Sequence, residues 1–423
     1  MRASERGIVL PITFGSMFEW YEVFLYIYWA PLISSSFFDL SLPLAELIHA
    51  ALVLSIGLIA RPIGGLLFGY IGDKWGRKVS FLLSILLITL PSIAVALMPN
   101  FTSWAYSSII YIGLIRFFQG IPAGGELPGA LCLLSEGASL DRKRYLCSFL
   151  FVGPQIGQII SMLQCLLLEQ YLTHEQLINW GWRISFLIGG AIGITGFFLR
   201  KKLHESVAFE NLKTHHKIEA HPLRESFKHH KKNIAVGFFI SIFEVIGFFM
   251  IYFFLLQHSS KLLNVNPSHT LVVNLIFLIT LTAIMPFIGY LGDKFENRPL
   301  FKLSALGIIF LSTPFYFAIN QQSFFWTIFL LCITILLFCI QFSLLPSLLA
   351  DLFPTQVRFT CIGFSFNITD GIIGGIMPFI GTLLLQKTGS PAAFIVLFPI
   401  TAIIFLIFLR FVKLRPPIKN KIE

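Results

Sequence analysis

Two glutamates interrupt an apolar stretch long enough to cross a membrane. Residues 8–37 form a hydrophobic run that carries Glu19 and Glu22, with Tyr26 on the same helical face one further turn along. A second run, 104–130, holds Arg116 and, three residues later, Gln119, and a third, 233–257, holds Glu244. Inside a bilayer an ionisable side chain costs several kcal/mol unless it is paired or hydrated, so each of these groups asks for a reason. At about 1.5 Å of rise per residue, Glu19 sits about 16 Å into its span, and Arg116 reaches a similar depth in a span running the other way. Two carboxylates near one arginine suit two tasks. One acid left unpaired can carry a proton, and a planar guanidinium can hold a carboxylate of the other acid or of a substrate. The plainer reading is a permanently ionised pair that ties two helices together. Spacing does not say which glutamate takes the proton. Glu244 reads either as a direct participant or as a hydrated cavity group. Asp370, in a glycine-rich segment, reads as a cavity group or as a cap on local backbone. Glu126 lies much further along the Arg116 span, where a gate contact is expected.

The elements that must position these groups are long apolar helices. The 423 residues are 56% hydrophobic and 12% charged, with 46 Phe and a mean hydropathy of +0.80, whereas a soluble domain carries about 25% charged residues. Runs of roughly 20 apolar residues suffice to span a bilayer. They fall at 8–37, 45–71, 79–98, 104–130, 146–168, 182–200, 233–257, 270–291, 300–319, 324–349, 359–385 and 392–412. The expected fold class is all-α: a polytopic membrane protein with twelve transmembrane helices. Residues 1–200 and 233–412 form two six-helix bundles, joined by a basic linker at 201–232 and followed by a short tail at 413–423.

The net charge of +10 does not point to nucleic acid, and no nucleic-acid partner is expected. Outside the spans nearly all Lys and Arg lie in the termini and the even-to-odd connections, against Lys261 and Lys387 on the other side. By the positive-inside rule both termini face the cytoplasm. The first run is too long for a cleavable signal and holds two acids, so it reads as a permanent helix. The six cysteines fall within or beside apolar runs and read as small packing residues. The linker's histidines show no regular ligand spacing, and the linker reads as a solvated tether. Neither metal nor cofactor is expected.

A charged turn is duplicated half a chain apart. Gly69-Tyr-Ile-Gly-Asp73-Lys-Trp-Gly76-Arg77-Lys78 returns as Gly289-Tyr-Leu-Gly-Asp293-Lys-Phe-Glu296-Asn297-Arg298. Such a repeat inside an apolar chain is the mark of a two-fold membrane bundle, the architecture of secondary transporters. Frequent Pro and Gly within the spans fit either close helix packing or hinges.

Further residues carry a family resemblance over essentially the whole chain. They are Arg61-Pro-Ile-Gly64-Gly65 leading into the first turn, Glu19-Trp-Tyr-Glu22, Arg116-Phe-Phe-Gln119-Gly120 with Gly124-Gly125-Glu126, Gly181-Trp-Arg183, and Leu352-Phe-Pro354-Thr-Gln-Val-Arg358. With them the chain resembles the major facilitator superfamily, and within it the metabolite:proton symporters, a branch with proline/betaine, citrate, α-ketoglutarate and shikimate carriers. The resemblance implies a bacterial inner-membrane monomer importing a small organic solute by alternating access, driven by the proton gradient. It places spans 1, 4 and 7 around a central cavity. It also implies that Asp73 reaches the end of span 11 at a cytoplasmic gate, with Arg77 and a cation such as Arg358 nearby. Asp293 belongs to the second copy, expected to be a weaker clamp because Glu296 and Asn297 replace Gly and Arg. Glu22 stands where the branch usually has Asp, and the tail lacks the coiled-coil extension of osmosensing carriers.

Few cations face the expected cavity, which favours a zwitterion such as proline or a betaine over a di- or tricarboxylate or a shikimate-like acid. A transporter-derived sensor would need a signalling domain. A membrane enzyme would need a nucleophile–base group or metal motif, and neither His-Glu-x-x-His nor Gly-x-Ser-x-Gly occurs.

Overall fold

A computed structural model describes residues 2–37, 45–97, 105–251, 267–390 and 392–413. Among them regular structure is helical throughout. The first half comprises α1 (Ala3–Phe37), α2 (Ala45–Lys74), α3 (Arg77–Ala96), α4 (Ala105–Gly137), α5 (Lys143–Cys147), α6 (Val152–Tyr171) and α7 (Trp182–Lys201). Two short helices, α8 (Val207–Thr214) and α9 (Pro222–His229), cross the linker. The second half comprises α10 (Lys231–Phe248), α11 (Pro267–Lys294), α12 (Asn297–Asn320), α13 (Phe324–Leu352), α14 (Arg358–Ile368), α15 (Gly375–Thr388) and α16 (Leu397–Leu409). The expected spans coincide with these helices over their described residues. Helices α5 and α6 together make the fifth span, and α14 and α15, joined by a π-helical turn at Thr369–Gly374, make the eleventh. Among the described residues, nine helical stretches are long and apolar enough to cross a membrane.

The solvent for this bundle is lipid, and α3 displays the consequence. Its Leu83, Leu86, Leu87 and Leu90 are exposed while Ser80, Ser84, Thr89 and Ser92 are buried. In a hydrocarbon medium nothing is gained by hiding leucine, whereas small polar residues allow close approach and find backbone acceptors. Ser80 donates to the carbonyl of Phe68 at 2.8 Å, and Thr89 to that of Ile85 at 2.7 Å.

The linker is more than a solvated tether. Its charges are largely exposed, yet Phe209 and Ser226 are buried, and Phe227 meets Phe364 edge-on at 4.7 Å. The α8–α9 segment is docked across the end of the bundle that carries the basic connections, called here the basic end.

The halves meet along two related seams, α2 against α14 and α11 against α5. Backbone approach is closest in the first. A Cβ at Gly65 would run into the carbonyl of Gly363, and one at Gly363 into the carbonyl of Gly65. At Gly69 it would come within 2.6 Å of the Thr360 Cα. Glycine is therefore required by contact rather than by dihedral angle. Gly65→Val should force α2 and α14 apart, at about 1–3 kcal/mol of overpacking. A cysteine probe at the basic end should become more accessible in the variant, with insertion unchanged.

Candidate functional site

The first group of residues lies in the middle of the bundle. Helix α1 brings Glu19 and Glu22 there, α2 brings Arg61, α4 brings Arg116 and Gln119, and α10 brings Glu244; all are buried. Arg61 is the hub. Its guanidinium donates to Glu19 at 2.7 Å and to Asp370 at 2.6 Å, and it lies 5.5 Å from the centroid of the Trp20 ring. Glu19 is thus paired with Arg61 rather than with Arg116. Asp370 does not cap backbone nearby; it reaches across the seam from the π-helical turn to that same guanidinium. Turns of this kind are frequent at functional sites, because the extra residue changes the angle at which a side chain leaves the helix.

Arg116 lies over the Tyr26 ring, 4.1 Å from its centroid, and donates to Gln119 at 3.3 Å. Glu22 shares this neighbourhood with Arg116 and Ser92, yet neither of its carboxylate oxygens accepts a hydrogen bond of ordinary geometry. One small cavity is lined by Glu19, Glu22, Arg61, Arg116 and Gln119. A second, between the halves, is lined by Trp20, Gln155, Glu244, Phe248 and Asp370 among others. The Glu19–Arg61–Asp370 chain links the two cavities, since its members line both.

The second group closes the basic end. Asp73 accepts from the backbone N–H of Phe359 at 3.2 Å and of Thr360 at 2.8 Å, capping the first turn of α14 with a buried carboxylate. Arg77 lies 3.2 Å from Asp73 and binds Glu136, donating also to the carbonyls of Gly72 (2.8 Å) and Thr355 (2.5 Å). Glu136 accepts in turn from Arg358 at 2.7 Å, so α4 and α14 are bridged as well. The linker joins in. Glu205 accepts from the N–H groups of Arg77 and Lys78, both at 3.1 Å, Ser206 donates to Glu136 at 2.5 Å, and Phe209 lies 4.9 Å below the Arg77 guanidinium.

The second copy of the turn builds the same device on α5. Asp293 accepts from the N–H groups of Arg144 and Tyr145, both at 2.9 Å, and Lys143 pairs with Asp351 at 2.7 Å. With its amide oriented to suit its neighbours, Asn297 donates to the Gly292 carbonyl at 2.9 Å, as Arg77 does to Gly72, and accepts from Arg144 at 2.5 Å. Loss of the last glycine has a backbone reason. Gly76 has φ +119°, which side chains rarely adopt, whereas Glu296 has φ −64°.

Glu126 is not at a contact between halves. Its carboxylate binds Arg200 of α7 through two bonds, one of 2.8 Å, and accepts from Ser84 at 3.0 Å. Arg200 is wholly buried and lies 3.6 Å from the Phe81 ring centroid, in room left by Gly15 of α1. Sequence reasoning did not single out Arg61, Glu136 or Arg200 as site residues. Arg61 carried a signal, as a charge within an apolar run; Glu136 and Arg200, at span ends, looked like ordinary surface charges.

A helical bundle in which a duplicated turn clasps two halves around an ionic centre has the architecture of a secondary membrane transporter. The sequence model of the Major Facilitator Superfamily matches residues 12–369 and 238–423, and the chain belongs to that family. It is 29% identical over 393 residues to a putative proline/betaine transporter of Staphylococcus aureus, covering 90% of this chain and 82% of that one. It is 25% identical over 422 residues to a glycine betaine/proline/ectoine/pipecolic acid transporter of Dickeya dadantii, covering 96% and 83%. Among solved structures, the proton:xylose symporter bound to 6-bromo-6-deoxy-D-glucose superposes with a TM-score of 0.83 at 16% identity, covering 97% of this chain and 96% of that one.

Three outcomes follow from the geometry. Asp73→Asn leaves shape intact but removes the charge that caps α14; the basic end should open more often, read as increased labelling of a cavity cysteine. Asp293→Asn should have the smaller effect, because its cap is backed by Asn297 and the Lys143–Asp351 pair where that of Asp73 is backed by the Arg77–Glu136–Arg358 chain. Glu126→Gln strands a buried guanidinium, which costs about 3–5 kcal/mol, so the detergent-solubilised protein should melt markedly earlier than wild type.

Proposed function

We propose that this transporter is a proton-coupled symporter that imports a small zwitterion, such as proline or a betaine, across the bacterial inner membrane, with both termini cytoplasmic. One observation carries the reading. Four buried carboxylates, Glu19, Glu22, Glu244 and Asp370, share the centre with two guanidiniums, Arg61 and Arg116. A centre with an excess of acids in a low-dielectric slab calls for added positive charge, and protons or the cationic end of a solute supply it. The same excess disfavours a di- or tricarboxylate, which would bring further negative charge to a site whose best cation is already bound on both sides. A single carboxylate on Arg116 is accommodated. The names of the relatives, transporters of betaine, proline, ectoine and pipecolic acid, support the zwitterion.

Glu22 is the proton carrier in this reading, because Glu19 is committed to Arg61 while neither Glu22 oxygen accepts a hydrogen bond of ordinary geometry among the described residues. Protonation there neutralises one acid of the Arg116 layer without breaking an ion pair. Protein, solute and proton gradient suffice, with no cofactor, and a monomer in the bilayer is the working unit. The latches at the basic end are the cytoplasmic gate, and alternating access requires both to part.

Proteoliposomes loaded for an inward proton gradient test this. Labelled proline or glycine betaine should accumulate, and a protonophore should abolish accumulation. Glu22→Gln should still exchange substrate for substrate but no longer accumulate it. Arg116→Lys keeps the charge and loses the planar fork, so uptake should fall at least ~10-fold, about 1.4 kcal/mol. Accumulation that survives the protonophore and follows sodium would end the proton reading.

A further inference from the structure

The cavity between the halves presents an acid without a counterpart. Glu244 is 3% exposed, and its Oε2 has no hydrogen-bond partner among the described residues. The charged group that shares its cavity is Asp370, of the same sign, and among the described residues no Lys or Arg lines that space. A second buried acceptor, Oε1 of Gln155, is also without a donor there. The apolar walls combine aromatic and aliphatic groups. Trp20 of α1 and Phe248 of α10 meet edge-on at 5.2 Å, with Phe151 and Phe366 beside them and Leu127, Pro154 and Val245 filling the rest. Trp20 already turns towards one cation, Arg61.

Unpaired acceptors, an acid and aromatic rings around one space have a common ligand in a soft cation. An ammonium with few N–H groups needs charge compensation and polarizable faces more than a full set of acceptors, and rings and one carboxylate provide both. A strongly hydrated inorganic cation would want several oxygens and few rings. The residues come from both halves, α1 and α6 on one side and α10 and the π-helical turn on the other, so a ligand held there feels both.

Resting on the zwitterion reading above, we propose that Glu244, with the Trp20 and Phe248 rings, forms the subsite for the secondary or quaternary ammonium of the substrate, and that Glu244 is the residue that selects zwitterions over plain carboxylates. In binding, no bond is made or broken; the ammonium supplies the counter-charge that Glu244 lacks.

The test is substrate exchange by the full-length protein in liposomes, which needs no net proton movement. Unlabelled glycine betaine and 3,3-dimethylbutanoate, its isostere with carbon in place of the ammonium nitrogen, compete against labelled glycine betaine. Wild type should prefer betaine by about tenfold or more, the scale on which a buried charge pair discriminates. Glu244→Gln should weaken betaine by about that factor and change dimethylbutanoate less than about twofold, erasing the preference. A Glu244→Gln protein with the wild-type preference overturns the subsite, and so does one that keeps the preference while losing accumulation, which would make Glu244 a proton site. If Glu244→Gln does not fold, Phe248→Leu decides: trimethylated betaine should lose more affinity than proline, and unchanged betaine affinity overturns the proposal. A wild-type protein that exchanges no zwitterion overturns the transport reading itself, whereas zwitterion exchange with unaltered preference in Glu244→Gln removes the subsite alone.

Discussion

Helices α2 and α14 hold one another by a reciprocal exchange of carboxylates. Near the middle of the bundle Asp370, just past the end of α14, reaches Arg61 of α2. At the basic end Asp73, near the end of α2, reaches the first N–H groups of α14. Between these ties the backbones touch at Gly65 and Gly363, and Asn367 donates to the Gly124 carbonyl of α4 at 2.6 Å. Each tie is strong for a stated reason. Arg61 is desolvated and each end of its fork donates a charge-assisted hydrogen bond to a carboxylate, so losing both acids would leave its charge stranded in an apolar medium. Asp73 satisfies donors that no helix can satisfy internally.

The duplicated turn explains how two halves of unlike sequence close alike. Both copies place an aspartate on the first turn of a helix from the opposite half, and both keep a side-chain donor on the carbonyl before that aspartate. They diverge in what lies beyond. The first copy continues through Arg77, Glu136 and Arg358 and is covered by the linker at Glu205, Ser206 and Phe209. The second ends in Asn297 and the Lys143–Asp351 pair. An asparagine suffices where the neighbour to be satisfied is Arg144, because a second guanidinium there would meet like charge. The divergence is a change of partner as much as a loss of strength.

Much of this was legible in the sequence because lipid is an exacting solvent. It demands apolar runs of one length, so the runs that became the described helices could be read from hydropathy. It penalises charge, so Glu19, Glu22, Arg116 and Glu244 announced themselves. Pairing was not legible. Glu19 and Arg116 looked like partners because they lie at similar depth, but depth fixes one coordinate, and Arg61 and Asp370 are 309 residues apart. Glu126 was misplaced for the same reason. Its depth was right for a gate, but Arg200, at the end of α7 where a chain leaves the membrane, folds inward to meet it. The docked linker had a signal in Phe209 and Phe227, apolar residues among charges, which the segment's basic composition obscured.

The two ties on α2 and α14 give the central chemistry a mechanical reach. Neutralising a carboxylate at the Arg61 hub weakens the mid-membrane tie, and α14 is then held to α2 by its N-terminal cap and the glycine contact. Those remaining contacts are short-range, and a separation of an ångström or two removes them together. Coupling between an ionic centre and a gate some twelve residues along the helix therefore needs no long pathway of side chains. It needs one helix pair with two closed positions, whose balance both sites bias. Glu22 and Glu244 sit on either side of that pair's hub, Glu22 beside Arg116 and Glu244 with no hydrogen-bond partner for Oε2 among the described residues. In the proposed reading, a proton on the first and a cationic headgroup at the second act on the same stock of uncompensated charge, so a centre that has received both differs electrostatically from one that has received either alone.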